Sequence, residues 1–237
     1  MPFPLAHPAA VLPLKRWTKS LNFPALVIGS LVPDAAYLLR NEDISGLSHQ
    51  VLGSLEFGLP VGILMLAAFY VLRRPAVGLI PNPRRQLFLS LCDRPIGPLW
   101  LAAASLMIGI GTHVFWDSFT HDDGWIAVHL SILQAPLFNF AGRTARVCRV
   151  LWYASTFVGV GWLYMAFEDW RCSHEPGVGR VRSRSLIRYA VLLAIFVVPV
   201  SLLRHLVRGS LGLILTAVLC TLLVIVFVVK MTRTRRA

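Results

Sequence analysis

One stretch constrains this chain more than any other. A strongly apolar run, Leu99 to Ile110, leads directly into Gly111-Thr112-His113-Val114-Phe115-Trp116-Asp117-Ser118-Phe119-Thr120-His121. The run reads as a helix from Leu99 to about Phe119, long enough to cross a bilayer. If the helix continues, His113, Asp117 and His121 stand four residues apart on one face. Ionisable groups at membrane depth are costly and mark function by default. The H-x-x-x-D-x-x-x-H spacing also suits a metal ion, because two imidazole nitrogens and a carboxylate oxygen converge from successive turns. The plainer alternative is a polar helix end at the lipid–water boundary, with its side chains solvated.

Composition agrees with a membrane setting. The 237 residues are 56% hydrophobic and only 14% charged, with a mean hydropathy of +0.67, which excludes an ordinary soluble domain. A net charge of +12 raises the question of nucleic acid. The basic residues lie in loops between apolar runs rather than on one continuous face, so no nucleic-acid partner is expected. Cys92, Cys148, Cys172 and Cys220 are scattered with no C-x-x-C pair, which argues against a zinc ribbon or a disulfide framework. No cleavable signal peptide is read at the N-terminus, where Met-Pro-Phe-Pro carries no charged leader.

The expected fold is all-α: a polytopic transmembrane helical bundle, one integral membrane domain over residues 1–237. Its parts are an N-terminal helical hairpin (1–40), a central core (51–170) and two C-terminal transmembrane helices (186–229). In the hairpin, His7 to Leu14 reads as a short helix with Pro8 in its first turn, where a missing N–H costs little. Asn22-Phe23-Pro24 breaks the chain before the apolar run Ala25 to Leu39. A hairpin returns the chain to its starting side and so brings His7 and Asp34 to one level. Val51 to Leu72 spans, and its Glu56 lies seven residues after His49, roughly on the same helical face. Arg73 to Pro98 is a Pro- and Arg-rich loop, Asp122 to Arg149 a mixed segment with an interfacial helix, and Val150 to Phe167 another span.

Charge sets an orientation. With the hairpin tip and the C-terminus in the cytoplasm, most of the 23 Lys and Arg fall inside, although Arg143, Arg146 and Arg149 run against the trend. The chain is thus expected in the cytoplasmic membrane with its C-terminus in the cytoplasm. His7, Asp34, His49, His113, Asp117 and His121 then gather on the outer side, together with Glu42, Asp43, Asp122 and Asp123. The last two are placed on the solvated side.

This gathering defines a candidate site. His7, Asp34, His49, His113 and Asp117 are the candidate metal ligands, for zinc or another divalent ion. Asp34, Asp117, Glu56 and His121 are the candidate catalytic groups. A dinuclear centre, one metal with a general base, and a site with no metal all remain open. Each residue also has a bland alternative: His7 solvated near the terminus, Asp34 ending a helix, His49 near a cap, Glu56 hydrated near the surface. His129, His174 and His205 read as surface residues.

These residues also carry a resemblance. The chain resembles the bacterial membrane-protein family known as domain of unknown function 4184. The resemblance rests on the opening His7-Pro8-Ala9-Ala10-Val11-Leu12-Pro13-Leu14, on Leu26 to Asp34, on Ser48-His49, on Leu59-Pro60-Val61-Gly62 and on Thr112 to His121. Tyr153-Ala154-Ser155-Thr156 with Gly159 adds to it, and the whole covers roughly the first 170 residues. That family looks distantly similar to membrane-bound metal-dependent hydrolases, which share an early His, a Pro-Asp pair, a Ser-His or Thr-His and a late S-H-x-x-x-D. This chain has Thr112 before His113, and Ala36 where those hydrolases carry a second aspartate.

The expected function is a membrane-embedded enzyme on a membrane lipid or lipophilic small molecule, with metal-dependent hydrolase-like chemistry. The first alternative is a metal-free acid/base cyclase or isomerase of a polyene, epoxide or polyketide. In it, Phe115, Trp116, Phe119 and Trp125 would line an apolar cavity. The second is an ion- or proton-coupled transporter or assembly factor, against which stand the absence of an inverted repeat and the clustering of polar residues at one end.

Overall fold

The computed structural model describes residues 4–174 except 18–19, 40–45, 83 and 141–142. The two C-terminal spans, the basic tail after them, and Glu42 and Asp43 lie outside the described residues. The chain divides into two compact units, Met1–Arg74 with Cys92–Leu163, and Pro75–Leu91 with Tyr164–Ala237.

The described residues are mostly helical. A 3-10 helix, Pro4–Val11, leads into α1 (Leu12–Trp17). α2 (Phe23–Gly29) and α3 (Val32–Ala35) follow, the latter ending in a 3-10 turn, Ala36–Leu39. One turn of helix, α4 (Val51–Gly53), passes through a π-helical turn, Ser54–Gly58, into α5 (Leu59–Gly78). Then come α6 (Arg84–Cys92), α7 (Leu99–Thr120), α8 (Trp125–His129) and α9 (Ser131–Gln134). Strands β1 (Pro136–Phe140) and β2 (Arg143–Arg146) precede the long α10 (Val147–His174). Among the described residues, three helical stretches are long and apolar enough to cross a membrane: Ser54–Gly78, Leu99–His129 and Val147–His174.

Two short strands add to the mostly helical architecture that was expected. β1 and β2 form an antiparallel ribbon pairing Phe138 with Ala145 and Asn139 with Thr144, with an irregularity between Pro136 and Phe138. The physical reason is local. Leu137-Phe138-Asn139-Phe140 is aromatic-rich, and the short link to Arg143 contains glycine, which favours a ribbon over a helix. In the N-terminal region, residues 4–39 form a series of short helical pieces in place of two continuous helices.

The core of the first unit is built around the crossing of α2 and α7. Ala25, Ile28, Val32, Leu66, Ala102, Leu106 and Ile110 are buried together there. The two backbones touch. A Cβ on Gly29 would lie 2.2 Å from the Leu106 carbonyl oxygen, and one on Gly109 would lie 2.3 Å from that of Leu26. Small residues permit such an approach between apolar helices, where packing replaces the hydrophobic effect as the driving force. Asn22 ties the start of α2 to the same assembly. Its side chain caps α2 by accepting from Ala25 N–H, and its amide donates to the Ile96 carbonyl (2.7 Å) and to Tyr70 Oη (3.2 Å). Its backbone N–H donates to Ser105 Oγ on α7 (3.0 Å). In the second unit, Phe88 of α6 packs on Trp170 of α10, and Arg171 pairs with Glu168 at 2.8 Å.

Gly109→Ala is therefore expected to lower stability by about 1–3 kcal/mol through overpacking. Gly111→Ala, where a Cβ meets nothing within 4 Å, is expected to be neutral or slightly stabilising. Thermal unfolding of both variants in detergent checks this; equal melting would mean that the close contact does not hold the helices together.

Candidate functional site

Four separate segments deliver side chains to one buried place. α7 supplies His113 and Asp117, one helical turn apart on its buried face. α3 supplies Asp34; Pro33 sits in the first turn, where its missing N–H is harmless, and its carbonyl is left to accept from Ser48 Oγ at 3.1 Å. The third segment supplies His49. Residues 46–48 are helical, His49 lies in a turn, and Gln50 is extended (φ −105°, ψ 157°), so the chain turns at the histidine. That reversal is tight: a Cβ on Gly53 would lie 1.8 Å from the Leu47 carbonyl oxygen, which only glycine allows. The N-terminal 3-10 helix supplies His7, whose ring stacks on that of His113 with centroids 3.7 Å apart.

The donor atoms face one another. His113 Nε2 is 3.3 Å from Asp117 Oδ2 and 3.7 Å from Asp34 Oδ1. His49 Nε2 is 3.6 Å from the same Asp117 oxygen and 3.9 Å from Asp34 Oδ1. His7 Nε2 lies 3.5 Å from the other Asp117 oxygen, Oδ1. Two overlapping ligand triplets result: His7, His113 and Asp117, and Asp34, His49 and His113. His7, Asp34, His113 and Asp117 are buried, whereas the His49 and His121 side chains keep 20% and 21% of their surface exposed. The cluster therefore opens on the side of those two histidines.

Hydrogen bonds behind the rings settle which nitrogen faces inward. His113 Nδ1 donates to the Ser30 carbonyl at 2.7 Å, so Nε2 presents a lone pair to the carboxylates. Ser48 Oγ spends its proton on Pro33, so at 3.0 Å it accepts from His49 Nδ1–H, and His49 Nε2 also turns a lone pair inward. Metal-bound histidines are held in this way, the second nitrogen donating to a carbonyl or hydroxyl oxygen.

The spacing fits a small cation. Hydrogen bonds between such atoms run about 2.7–3.2 Å. Ligand atoms on one tetrahedral zinc, each 2.0–2.2 Å from the ion, stand about 3.3–3.6 Å apart. Among the buried atoms, His7 Nε2, His113 Nε2 and both Asp117 oxygens have no hydrogen-bond partner. Burial pushes the His7 imidazole well below its usual range, which favours the neutral form that a ligand needs. If all the imidazoles served as neutral ligands, the two buried carboxylates would supply two negative charges, the complement of one divalent ion.

The remaining expectations meet a more varied geometry. Glu56 is exposed on the π-helical turn and stands outside the cluster. The shared face with His49 fails because the helix does not run through Gln50, and the π turn shifts the phase again. His121 lies just past the end of α7 with extended backbone, and its Nδ1 donates to the Asp117 carbonyl at 3.0 Å. It belongs to the rim, 3.8 Å from Asp117 Oδ2, and to neither ligand triplet. Asp122 is not simply solvated: it pairs with Arg149 at 2.5 Å and accepts from Cys148 Sγ. Phe115, Trp116 and Trp125 are exposed, and Phe119 packs against the small cluster of Ala127, Leu133 and Cys148. Ser30 and Ser48, which orient the rings, carry no signal in the sequence beyond the stretch Leu26 to Asp34 and the pair Ser48-His49.

A family model described as Domain of unknown function (DUF4184) matches residues 1–233, and the chain belongs to that family. No curated protein and no solved structure matches it.

The geometry predicts a ligand effect on stability. Zinc added to chelator-treated protein is expected to raise the melting temperature in a concentration-dependent way, by about 2.7 kcal/mol of stability at 100 times the dissociation constant. Ser48→Ala should weaken that binding about 10–100-fold by releasing the His49 tautomer. Asp123→Ala, at an exposed position, should leave it unchanged. Identical melting of all three proteins with and without zinc would refute metal binding here.

Proposed function

We propose that this DUF4184 family member is a membrane-embedded enzyme with hydrolase-like chemistry on a lipophilic substrate, at a divalent-metal site held by Asp34, His49, His113 and Asp117. One observation carries the proposal: inward-facing imidazole lone pairs and a buried Asp117 carboxylate stand at ligand spacing rather than hydrogen-bond spacing. A bound zinc would lower the pKa of a water and polarise the scissile group.

The protein's own groups divide the remaining tasks. Asp34 and Asp117 provide the negative charge that retains a cation. Ser30 and Ser48 hold His113 and His49 in the required tautomers. His7 faces the second oxygen of Asp117 and fixes the orientation of that carboxylate. His121, half-buried at the rim, is within reach of a proton exchanged with a substrate and is the candidate general base. Beside the open edge, Tyr37 is exposed with its ring 5.6 Å from that of His49 between centroids. That ring, and the long apolar helices that carry the site, support a substrate that arrives from the lipid phase.

The proposal includes a topology: a polytopic bundle with the N-terminal hairpin entering partway, the C-terminus in the cytoplasm and the His/Asp cluster on the outer side. Cys92 is buried and would report poorly on sidedness. Leu79 is 86% exposed in the Pro- and Arg-rich region, so a Leu79→Cys variant should react with a membrane-impermeant maleimide only in inside-out vesicles. Labelling of intact spheroplasts would reverse the orientation.

Metal analysis of purified protein tests the chemistry. About one zinc per chain is expected, lost in His113→Ala and Asp117→Ala, together with chelator-sensitive hydrolysis of bis(p-nitrophenyl) phosphate or a fluorogenic lipid ester. Because the same His–Asp contacts can also share a proton, the metal-free acid/base reading is the alternative. Full activity after chelation combined with loss in Asp34→Asn would select it.

A further inference from the structure

The connector between α7 and α10 carries a feature that the site does not use. Within residues 125–138, Trp125, Val128, Leu130, Ile132, Leu137 and Phe138 are all exposed, at 47–71%. The opposite side of the same segment is already satisfied: Ala127 and Leu133 are buried with Cys148 against Phe119, Ile126 and Val147. So α8 and α9 are apolar on both sides, with one side packed inward and the other facing away from the protein.

Charge narrows what covers that outer side. Residues 124–149 contain no Asp or Glu, but they hold Arg143, Arg146 and Arg149. Arg149 is neutralised by Asp122. Arg146 is exposed and donates to the neutral Gln134 Oε1 at 2.7 Å; the acid near it, Asp122, is already paired with Arg149. Gln134 in turn donates to the Asp122 carbonyl at 2.8 Å, which pins α9 and the ribbon to the end of α7. Position decides the rest. Two stretches long and apolar enough to cross a membrane bound the segment: Leu99–His129, which ends within it at α8, and Val147–His174, which follows it. A short link between two spans lies at the lipid–water boundary, where tryptophan and arginine are favoured.

We propose that residues 125–146 form an interfacial anchor seated in the headgroup layer of a leaflet that contains anionic lipid. Trp125, Ile132, Leu137 and Phe138 enter the upper acyl region, and Arg146 meets the phosphates. The anchor rests on the membrane-spanning part of the reading above and is independent of the metal. By pinning the link that follows His121, it also sets the depth at which the open edge of the His/Asp cluster meets the bilayer.

The test uses the full chain in nanodiscs of phosphatidylcholine with one part in three phosphatidylglycerol. A photoactivatable carbene probe is carried on either lipid, and adducts are mapped by mass spectrometry. Adducts at 125–138 are expected at a yield comparable with the α7 peptide 101–112. The phosphatidylglycerol-borne probe should label 125–146 several-fold more than the phosphatidylcholine-borne one, and Arg146→Gln should bring that ratio towards one. Leu137→Ser with Phe138→Ser, both at exposed positions, should at least halve labelling of the ribbon and leave the α7 peptide unchanged. Labelling of α7 but not of 125–138 overturns the anchor, whether a water-borne carbene labels the segment (it stands in solvent) or not (protein, such as a second copy, covers it). Equal yields from the two lipids overturn the anionic preference. If the α7 peptide is unlabelled as well, the membrane-spanning reading fails and the anchor fails with it.

Discussion

Everything at the site depends on how closely α2 approaches α7. Gly29 and Gly109 lack the Cβ atoms that would keep the backbones apart, so each helix rests on a carbonyl of the other. That contact brings the Ser30 carbonyl, at the end of α2, within 2.7 Å of His113 Nδ1. The hydrogen bond then commits His113 Nε2 to the cluster. Asp34 follows α2 by only five residues, so a displacement of α2 would carry it away from His113 and Asp117. The precision of the cluster is thus inherited from backbone packing between small residues, as a site on rigid elements requires.

The first unit concentrates its polar groups in separate networks around an apolar middle. Asn22 links α2, α5 and α7 through the Tyr70 hydroxyl, the Ile96 carbonyl and Ser105. The His/Asp cluster joins α3, α7, the turn at His49 and the N-terminal 3-10 helix. Between them lies a core of Leu, Ile, Val and Ala. The two networks differ in kind. The groups around Asn22 meet at hydrogen-bond distance, whereas the His/Asp donors stand 3.3–3.9 Å apart. A buried set of carboxylates at that separation costs free energy unless positive charge is supplied. The cluster opens towards the partly exposed His49 and His121. The connector beyond His121 repeats the theme: Asp122 absorbs Arg149, which explains one of the arginines that oppose the charge trend.

What the sequence by itself determined was what depends on local, additive properties. Hydropathy and length are sums over consecutive residues, so the three apolar helical stretches among the described residues were legible. The pairing of His113 with Asp117 was legible because the helix period places i and i+4 on one face. Family membership was legible in the opening segment and in Trp116-Asp117-Ser118-Phe119-Thr120-His121. The same arithmetic misled where regular helix stops. Glu56 lost its expected face to the extended Gln50 and the π turn, whereas His121, one residue beyond the end of α7, still reaches the rim of the cluster. Only the tertiary structure decided the rest. The Ser30–His113 hydrogen bond spans 83 residues, and the Gly29–Gly109 contact, the Ser48 relay and the alignment of His7 also join segments distant in sequence. Such contacts are fixed by how closely two backbones approach in space, and no periodicity along one segment encodes that distance.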